Sequence, residues 1–137
     1  MRFGLLGAGR IGRIHGLNVA ARGDATLVAL ADASHDAAAS LAAVSGAKVA
    51  SAEAILSDSS IDAVLICTPT DTHADLIEAA VSAGKAVFCE KPVDLDAARI
   101  RRCLDIVAKS GKPLMIGFNR RFDPHFPALE NRLRMGE

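Results

Sequence analysis

An α/β fold with a doubly wound parallel sheet is predicted by three features of the 137-residue sequence. Short apolar runs of strand character alternate along the chain with helix-like stretches. Most of these runs are continuous, which is typical of strands buried on both faces of a parallel sheet. Glycines end four of the helix-like stretches shortly before the next strand candidate, at Gly23, Gly46, Gly84 and Gly111. Alternating strands and helices require right-handed crossovers, which place helices on both faces of such a sheet.

The elements are delimited by these apolar patterns. The strand candidates are, in order, Arg2–Leu6, Thr26–Ala31, Lys48–Val49, Asp62–Cys67, Ala86–Cys89 and Pro113–Gly117. Four helix candidates have apolar residues at helical spacing, in the sets Ile11, Ile14, Leu17 and Ala21; Ala37, Leu41 and Val44; Leu76, Ala80 and Ala83; and Ala97, Ile100, Leu104 and Val107. Thr72 and Asp75 have the spacing of a capping box at the start of the third of these helices.

Composition excludes several classes of function. The chain is long enough for one domain with a sizeable core. Its 16 Lys and Arg are balanced by 16 Asp and Glu, which gives no indication of a nucleic-acid or membrane partner. Three cysteines without metal-ligand spacing predict buried free thiols and no metal site. No apolar run approaches the roughly 18 residues of a membrane span, and the first strand directly follows Met1, so we expect a cytoplasmic protein.

A glycine-rich turn joins the first strand to the first helix. Its sequence is Gly7-Ala8-Gly9-Arg10-Ile11-Gly12. In a dinucleotide site the first glycine permits a tight turn, the second lets the backbone approach a pyrophosphate, and the third allows close packing of helix and strand. The amino terminus of the new helix attracts phosphate through its free N–H groups and its dipole.

An acidic residue at the end of the second strand strengthens this interpretation. Asp32 follows the strand at Thr26–Ala31 and lies 20 residues after Gly12, where such sites place the carboxylate that binds the ribose hydroxyls. That carboxylate repels a 2′-phosphate, and no Arg or Lys occupies positions 33–36, so the cofactor is predicted to be NAD rather than NADP. The alternative is a glycine turn beside an Asp that caps a helix.

The residues that follow the later strands are the other candidates for chemistry, because ligands of parallel sheets bind at the carboxyl ends of the strands. Lys91 precedes a proline at a strand end, and this holds it in an extended or turn conformation from which its amine can face the crevice at the carboxyl ends of the strands. Nearby cations or partial burial would lower the pKa of the amine, which could then exchange protons near neutral pH. The alternative for Lys91 is a surface pair with Glu90. His73 is either a site residue or a structural histidine in the first turn of a helix. Arg120 and Arg121 are candidates to bind an anionic or hydroxylated ligand, or are a solvated pair.

The chain resembles the glucose-fructose oxidoreductase and inositol dehydrogenase family over its whole length. The resemblance rests on the glycine turn, on Thr68-Pro69-Thr70-Asp71-Thr72-His73, and on Ala83-Gly84-Lys85 leading into Glu90-Lys91-Pro92. Together with residues 66–73, the run Gly117-Phe118-Asn119-Arg120-Arg121-Phe122-Asp123-Pro124 is most similar to the bacterial myo-inositol 2-dehydrogenase branch. Many members have Asn at the position of Thr70.

The resemblance implies an NAD-dependent oxidoreductase that transfers a hydride from a ring carbon of a cyclic polyol or sugar. It implies that Lys91 is catalytic and hydrogen-bonds both the substrate hydroxyl and the nicotinamide ribose. Glu90 would border the nicotinamide pocket, and Arg120 and Arg121 would face the polyol. The residues expected to bind the cofactor are Gly7, Gly9, Arg10, Ile11, Gly12, Asp32, Thr68, Pro69, Thr70, His73, Glu90 and Lys91. We also expect a cis Lys91–Pro92 peptide bond.

The domain organisation follows from the same resemblance. Family members are more than twice as long and have a second domain whose Asp and His complete the catalytic group. We therefore expect a Rossmann dinucleotide-binding domain at 1–118, followed at 119–137 by a linker and helix leading toward a substrate domain absent from this chain. The full-length protein is expected to be a homo-oligomer and the isolated chain inactive. The alternatives are a complete small protein, a non-catalytic NAD-sensing regulator, and a glycosidase that uses NAD for a transient oxidation.

Overall fold

Six strands form one sheet in the computed structural model, which describes residues 1–136 and leaves Glu137, the last residue of the predicted linker segment, outside the described part. They are β1 (Arg2–Leu6), β2 (Thr26–Ala31), β3 (Lys48–Val49), β4 (Ala63–Ile66), β5 (Ala86–Cys89) and β6 (Leu114–Ile116). Every pair of neighbouring strands is parallel, in the order β3-β2-β1-β4-β5-β6. The predicted doubly wound parallel sheet is confirmed, with β4 and β6 one residue shorter at each end than predicted.

Helices connect the strands as the alternating pattern predicts. They are α1 (Arg10–Ala20), α2 (His35–Ser45), α3 (Ala52–Ser57), α4 (His73–Ser82), α5 (Ala97–Ser110) and α6 (His125–Met135). Short 3-10 turns at Thr70–Thr72 and Asn119–Phe122 precede α4 and α6. No helix within residues 1–136 combines the length and apolar character needed to cross a membrane.

Burial on both faces explains the continuous apolar strands. Along β4, the side chains of Val64 and Ile66 belong to the core cluster that also contains Ile77 of α4, whereas Leu65 belongs to the opposite cluster with Leu41 of α2. A strand with both faces covered gains from apolar residues at every position. The predicted buried free thiols are also confirmed at Cys67, Cys89 and Cys103.

Three of the four predicted glycine stops are confirmed. Gly46, Gly84 and Gly111 have left-handed backbones, with φ of 74°, 79° and 65°. The prediction that Gly23 ends α1 is wrong. The helix ends at Ala20, and Gly23 does not have a positive φ. The amides of Ala21 and Arg22 already bond to carbonyls of the last turn, so no left-handed residue is needed there.

The capping box predicted at Thr72 does not form. The Thr72 hydroxyl donates to the carbonyl of Pro69 at 2.8 Å and lies 2.7 Å from the hydroxyl of Thr68. These bonds close the 3-10 turn that precedes α4, and they occupy the group that would otherwise accept from the first turn of the helix. The hydroxyl therefore shapes the loop after β4 instead of capping α4.

Candidate cofactor site

The glycine turn between β1 and α1 has two glycines that the fold requires and one that leaves space open. Gly7 has φ of +95°, and a Cβ there would lie 2.5 Å from the carbonyl oxygen of Cys67. A Cβ at Gly12 would lie 1.8 Å from the carbonyl oxygen of Gly7. At Gly9 a Cβ would meet nothing within 4 Å. The turn is therefore packed against other backbone atoms at Gly7 and Gly12 and open at Gly9. The opening at Gly9 suits a ligand that approaches the backbone.

Gly9 is also the N-cap of α1, and it provides no side-chain hydrogen bond to the first turn of that helix. The first N–H groups of a helix have no partner within the helix, and they carry its positive dipole end. Arg10 and Ile11, which are predicted to bind the cofactor, are the first two residues of α1. Arg10 is exposed, whereas Ile11 packs partly buried against the core cluster of Leu5. The open turn and the helix end thus form a cradle suited to phosphate.

Asp32 holds the glycine turn in place. Its Oδ2 accepts a hydrogen bond from the Ala8 amide at 2.6 Å, and its Oδ1 accepts one from the Ser34 amide at 2.8 Å. The N-cap of α2 is Ser34, not Asp32. Because an ionised carboxylate has about four acceptor positions, two remain for the hydroxyls of a ribose. The carboxylate is thus anchored by the backbone and still able to bind a ligand.

A cleft of about 600 Å³ lies at the carboxyl ends of β1, β2 and β4. Its lining brings together Gly7, Gly9, Asp32, Thr68, Pro69 and Thr72. The cleft lies where the strand order reverses, between β1 and β4, which is where doubly wound sheets bind nucleotides. Half-buried Thr70 belongs to the 3-10 turn of the same loop.

The thiol at the wall of this cleft, Cys67, is buried. Burial raises the pKa of Cys67 to about 12, with a smaller contribution from the charge of Glu90. Burial likewise raises the pKa of Cys89 to about 12. Nucleophilic chemistry requires the thiolate, so neither cysteine serves it near neutral pH.

The loop after β5 carries Glu90, Lys91 and Pro92. The Lys91–Pro92 bond is cis, which confirms that prediction. Lys91 is exposed, and the carboxylate of Glu90 pairs with His15 rather than with the Lys91 amine, at 2.8 Å between Oε1 and Nε2. The surface pair offered as the alternative for Lys91 is therefore absent from residues 1–136.

His73 is buried beneath the cleft instead of lining it. It is 2% exposed, its Nδ1 lies 2.7 Å from the Pro92 carbonyl oxygen, and its Nε2 lies 2.8 Å from that of Thr68. These contacts match the structural alternative, in which the side chain connects two loops. Sequence reasoning did not identify the partner of Glu90, which is His15. The two residues are 75 positions apart, so no local pattern indicates their contact.

The two predicted substrate residues lie apart from the nucleotide cleft. Arg120 and Arg121 are exposed in the 3-10 turn before α6, and both line a separate cleft of about 530 Å³ against that helix. The guanidinium of Arg120 lies 4.9 Å from the ring centroid of Phe126. A cation over an aromatic ring is held without losing its charge. The pair therefore presents positive charge beside β6, at the same edge of the sheet.

Comparisons with known proteins agree with this geometry. Residues 1–118 match the family described as an oxidoreductase family with an NAD-binding Rossmann fold. An inositol 2-dehydrogenase of Rhizobium meliloti is 56% identical, over all of this chain and 42% of the relative. A crystal structure of a myo-inositol dehydrogenase from Corynebacterium glutamicum is 43% identical with a TM-score of 0.86, over 98% of this chain and 40% of that one.

A further solved structure has its ligands bound. It is a scyllo-inositol dehydrogenase from Lactobacillus casei with bound NAD(H) and scyllo-inositol, 30% identical with a TM-score of 0.90, over 99% of this chain and 41% of that one. The chain spans about two fifths of the length of these relatives. Their remaining three fifths have no counterpart in it.

Proposed function

The chain belongs to the glucose-fructose oxidoreductase and inositol dehydrogenase family, and we propose that it is the cofactor-binding part of an NAD-dependent dehydrogenase of a cyclic polyol, with myo-inositol as the substrate. The observation that carries the proposal is the Asp32 carboxylate bonded to the glycine turn beside an open cleft. The names of the inositol dehydrogenases among its relatives support the substrate class.

The residues present fit NAD. The open face at Gly9 and the amino terminus of α1 would hold the pyrophosphate, and the free acceptor positions of Asp32 would bind the adenosine ribose. Thr68 and Pro69 would cover the opposite wall of the cleft. When bound, NAD supplies the hydride acceptor, and the protein contributes binding, orientation and electrostatics.

Lys91 would act on the substrate hydroxyl. Its amine has no carboxylate partner within the described residues, so its hydrogen-bonding positions are free for a ligand. A positioned lysine can hydrogen-bond a hydroxyl and take part in moving its proton as the ring carbon is oxidised. Arg120 and Arg121 would face the polyol from the neighbouring strand end. The presence of Lys91 favours an enzyme over a non-catalytic NAD sensor.

The organisation of the whole protein is part of the proposal. Residues 1–118 would form the dinucleotide-binding domain, and residues 119–137 the linker and helix toward a substrate domain. The exposed side chains of Phe126, Leu129 and Leu133 on α6 support this role, since they offer apolar surface for that domain to cover. A cytoplasmic location and a homo-oligomeric full-length enzyme complete the proposal.

A fusion of this chain to the remaining part of the Rhizobium meliloti relative tests the proposal. NADH formation from NAD and myo-inositol is expected from the fusion and not from the 137-residue chain alone. Lys91→Ala is expected to lower kcat about 10²-fold or more, the range of general acid–base catalysis. Lys109→Ala, on the exposed face of α5, is the matched control. Full activity of the Lys91→Ala fusion would exclude Lys91 from the mechanism.

A further inference from the structure

The loop that carries Lys91 is held on both sides by histidines from other elements. His15 projects from α1 onto Glu90, the residue before Lys91. His73 projects from α4 onto Pro92, the residue after it. The loop is thereby tied to the glycine-turn helix on one side and to the loop after β4 on the other.

The contact of His15 with Glu90 reaches the backbone of Lys91. Glu90 Oε1 lies 2.8 Å from His15 Nε2, and Glu90 Oε2 accepts the Lys91 amide at 3.3 Å. An ionised carboxylate only accepts, so Nε2 of His15 carries the hydrogen. The His15 ring also packs edge-on against Phe88 of β5, with centroids 4.9 Å apart and planes at 61°. Packing thus fixes the ring, and the ring fixes the carboxylate.

The contact of His73 with Pro92 acts from the other side. Its two ring nitrogens face the carbonyl oxygens of Pro92 and Thr68, both of which are acceptors. Each ring nitrogen that carries a hydrogen donates it to the carbonyl that it faces, so the ring lies between the two loops and bonds to them directly. The side chain is only 2% exposed, so the ring nitrogens are shielded from solvent. The side chain therefore holds the loop of Lys91 against the loop that lines the nucleotide cleft.

We propose that His15 and His73 are positioning residues for Lys91, His15 through the carboxylate of Glu90 and His73 through the carbonyl of Pro92. This inference rests on the proposed function, in which Lys91 meets the cofactor and the substrate. Neither histidine needs to touch a ligand. A side chain within an active site is useful only when its supporting contacts keep it in one geometry.

Acylation of lysine amines in the 137-residue protein, with and without saturating NAD, tests the positioning directly. Peptide mass spectrometry measures the rate at Lys91 against exposed Lys109 as an internal reference. In the parent protein, NAD is expected to protect Lys91 severalfold. His15→Phe keeps a ring against Phe88 and removes the hydrogen bond. His15→Gln retains a donor, and His125→Phe, at an exposed histidine, is the matched control.

His15→Phe is expected to reduce the protection of Lys91 by about two- to tenfold, the range for loss of one hydrogen bond. His15→Gln should restore part of the protection, and His125→Phe should leave it unchanged. Glu90→Gln weakens the same contact from the other side and should reproduce the His15→Phe result. His73→Asn is expected to act in the same direction. Circular dichroism of each variant shows whether it is folded, and the His15 and Glu90 variants decide the matter if His73→Asn unfolds.

Two results would overturn the inference, and only the second would also remove the proposed role of Lys91. If NAD protects Lys91 equally in the parent, His15→Phe and Glu90→Gln, then positioning is wrong and the proposed function stands. If NAD binds the parent without protecting Lys91, or does not bind, then the proposed role of Lys91 fails and the inference fails with it.

Discussion

Alanine at Gly9 is expected to weaken NAD binding roughly tenfold to a hundredfold and to leave the fold intact. A Cβ at Gly9 meets no protein atom within 4 Å, and its φ of −64° with ψ of −170° is accessible to alanine. Replacing glycine at a compatible position stabilises a protein by about 0.4–1 kcal/mol, whereas alanine is the poorer N-cap by a comparable amount. These effects offset each other, so the free energy of unfolding should change by less than about 1 kcal/mol.

The loss of affinity follows from the same open space. The new methyl group would stand where the pyrophosphate approaches the backbone, and it would separate the phosphate from the amides of α1. Hydrogen bonds to a charged group contribute about 1.5–3 kcal/mol each, so losing one weakens binding by roughly tenfold to a hundredfold. Titration of NADH fluorescence measures the affinity, and urea unfolding measures the stability.

Two other glycines are the controls for this pair of measurements. Gly23→Ala adds a methyl group in equally open space, outside the cleft, and should bind NADH as the parent does. Gly12→Ala places its Cβ 1.8 Å from the carbonyl oxygen of Gly7, so the backbone must shift, and both stability and binding should fall. Parent-like NADH affinity in Gly9→Ala would refute the phosphate role of the open face. A Gly12→Ala protein as stable as the parent would refute the packing argument.

Three further predictions concern specificity, thiols and structural charge. NAD should bind more tightly than NADP, and Asp32→Ala should reduce the ratio of the two affinities, as competitive titrations can measure. Tighter binding of NADP to the parent protein would contradict the role of Asp32. Because burial raises the pKa of Cys67 and Cys89 to about 12, whereas unfolded thiols ionise near 8.5, the free energy of unfolding should fall as pH rises from about 9 toward 12. Chemical denaturation across that pH range measures the free energy of unfolding. In a double variant with Cys67→Ala and Cys89→Ala, that free energy should depend much less on pH. Buried Lys85 donates to the carbonyls of Asp58 and Ile61, so Lys85→Met should lose a few kcal/mol of stability and keep NAD affinity in any variant that folds.

The sequence predicts those features that depend on neighbouring residues. The strand, glycine turn and helix at 2–20 follow from local steric needs, since Gly7 requires a positive φ and Gly12 has no room for a Cβ. Continuous apolar runs predict the parallel sheet because both faces of β4 are buried. Asp32 was found by its spacing from Gly12.

Features that depend on distant or competing partners were not predictable in the same way. The Thr72 hydroxyl has the spacing of a cap, yet Pro69 and Thr68 compete for it and shape a 3-10 turn. Gly23 follows a helix whose carbonyls are already satisfied. The contact of His15 with Glu90 arises only when α1 is folded back beside β5, and nothing local to either residue indicates it.

Mapping NAD onto the chain by amide chemical shifts tests the central claim most directly. The 14.3 kDa chain is small enough for two-dimensional nuclear magnetic resonance of its backbone amides. Titration with NAD is expected to shift the amides of residues 7–12, 32–34, 68 and 70–72 and to leave those of Gly46 and Gly111 in place. Saturating NAD without shifts at the glycine turn, or with shifts confined to the cleft of Arg120 and α6, would contradict the assignment of this chain as the cofactor-binding part of the enzyme.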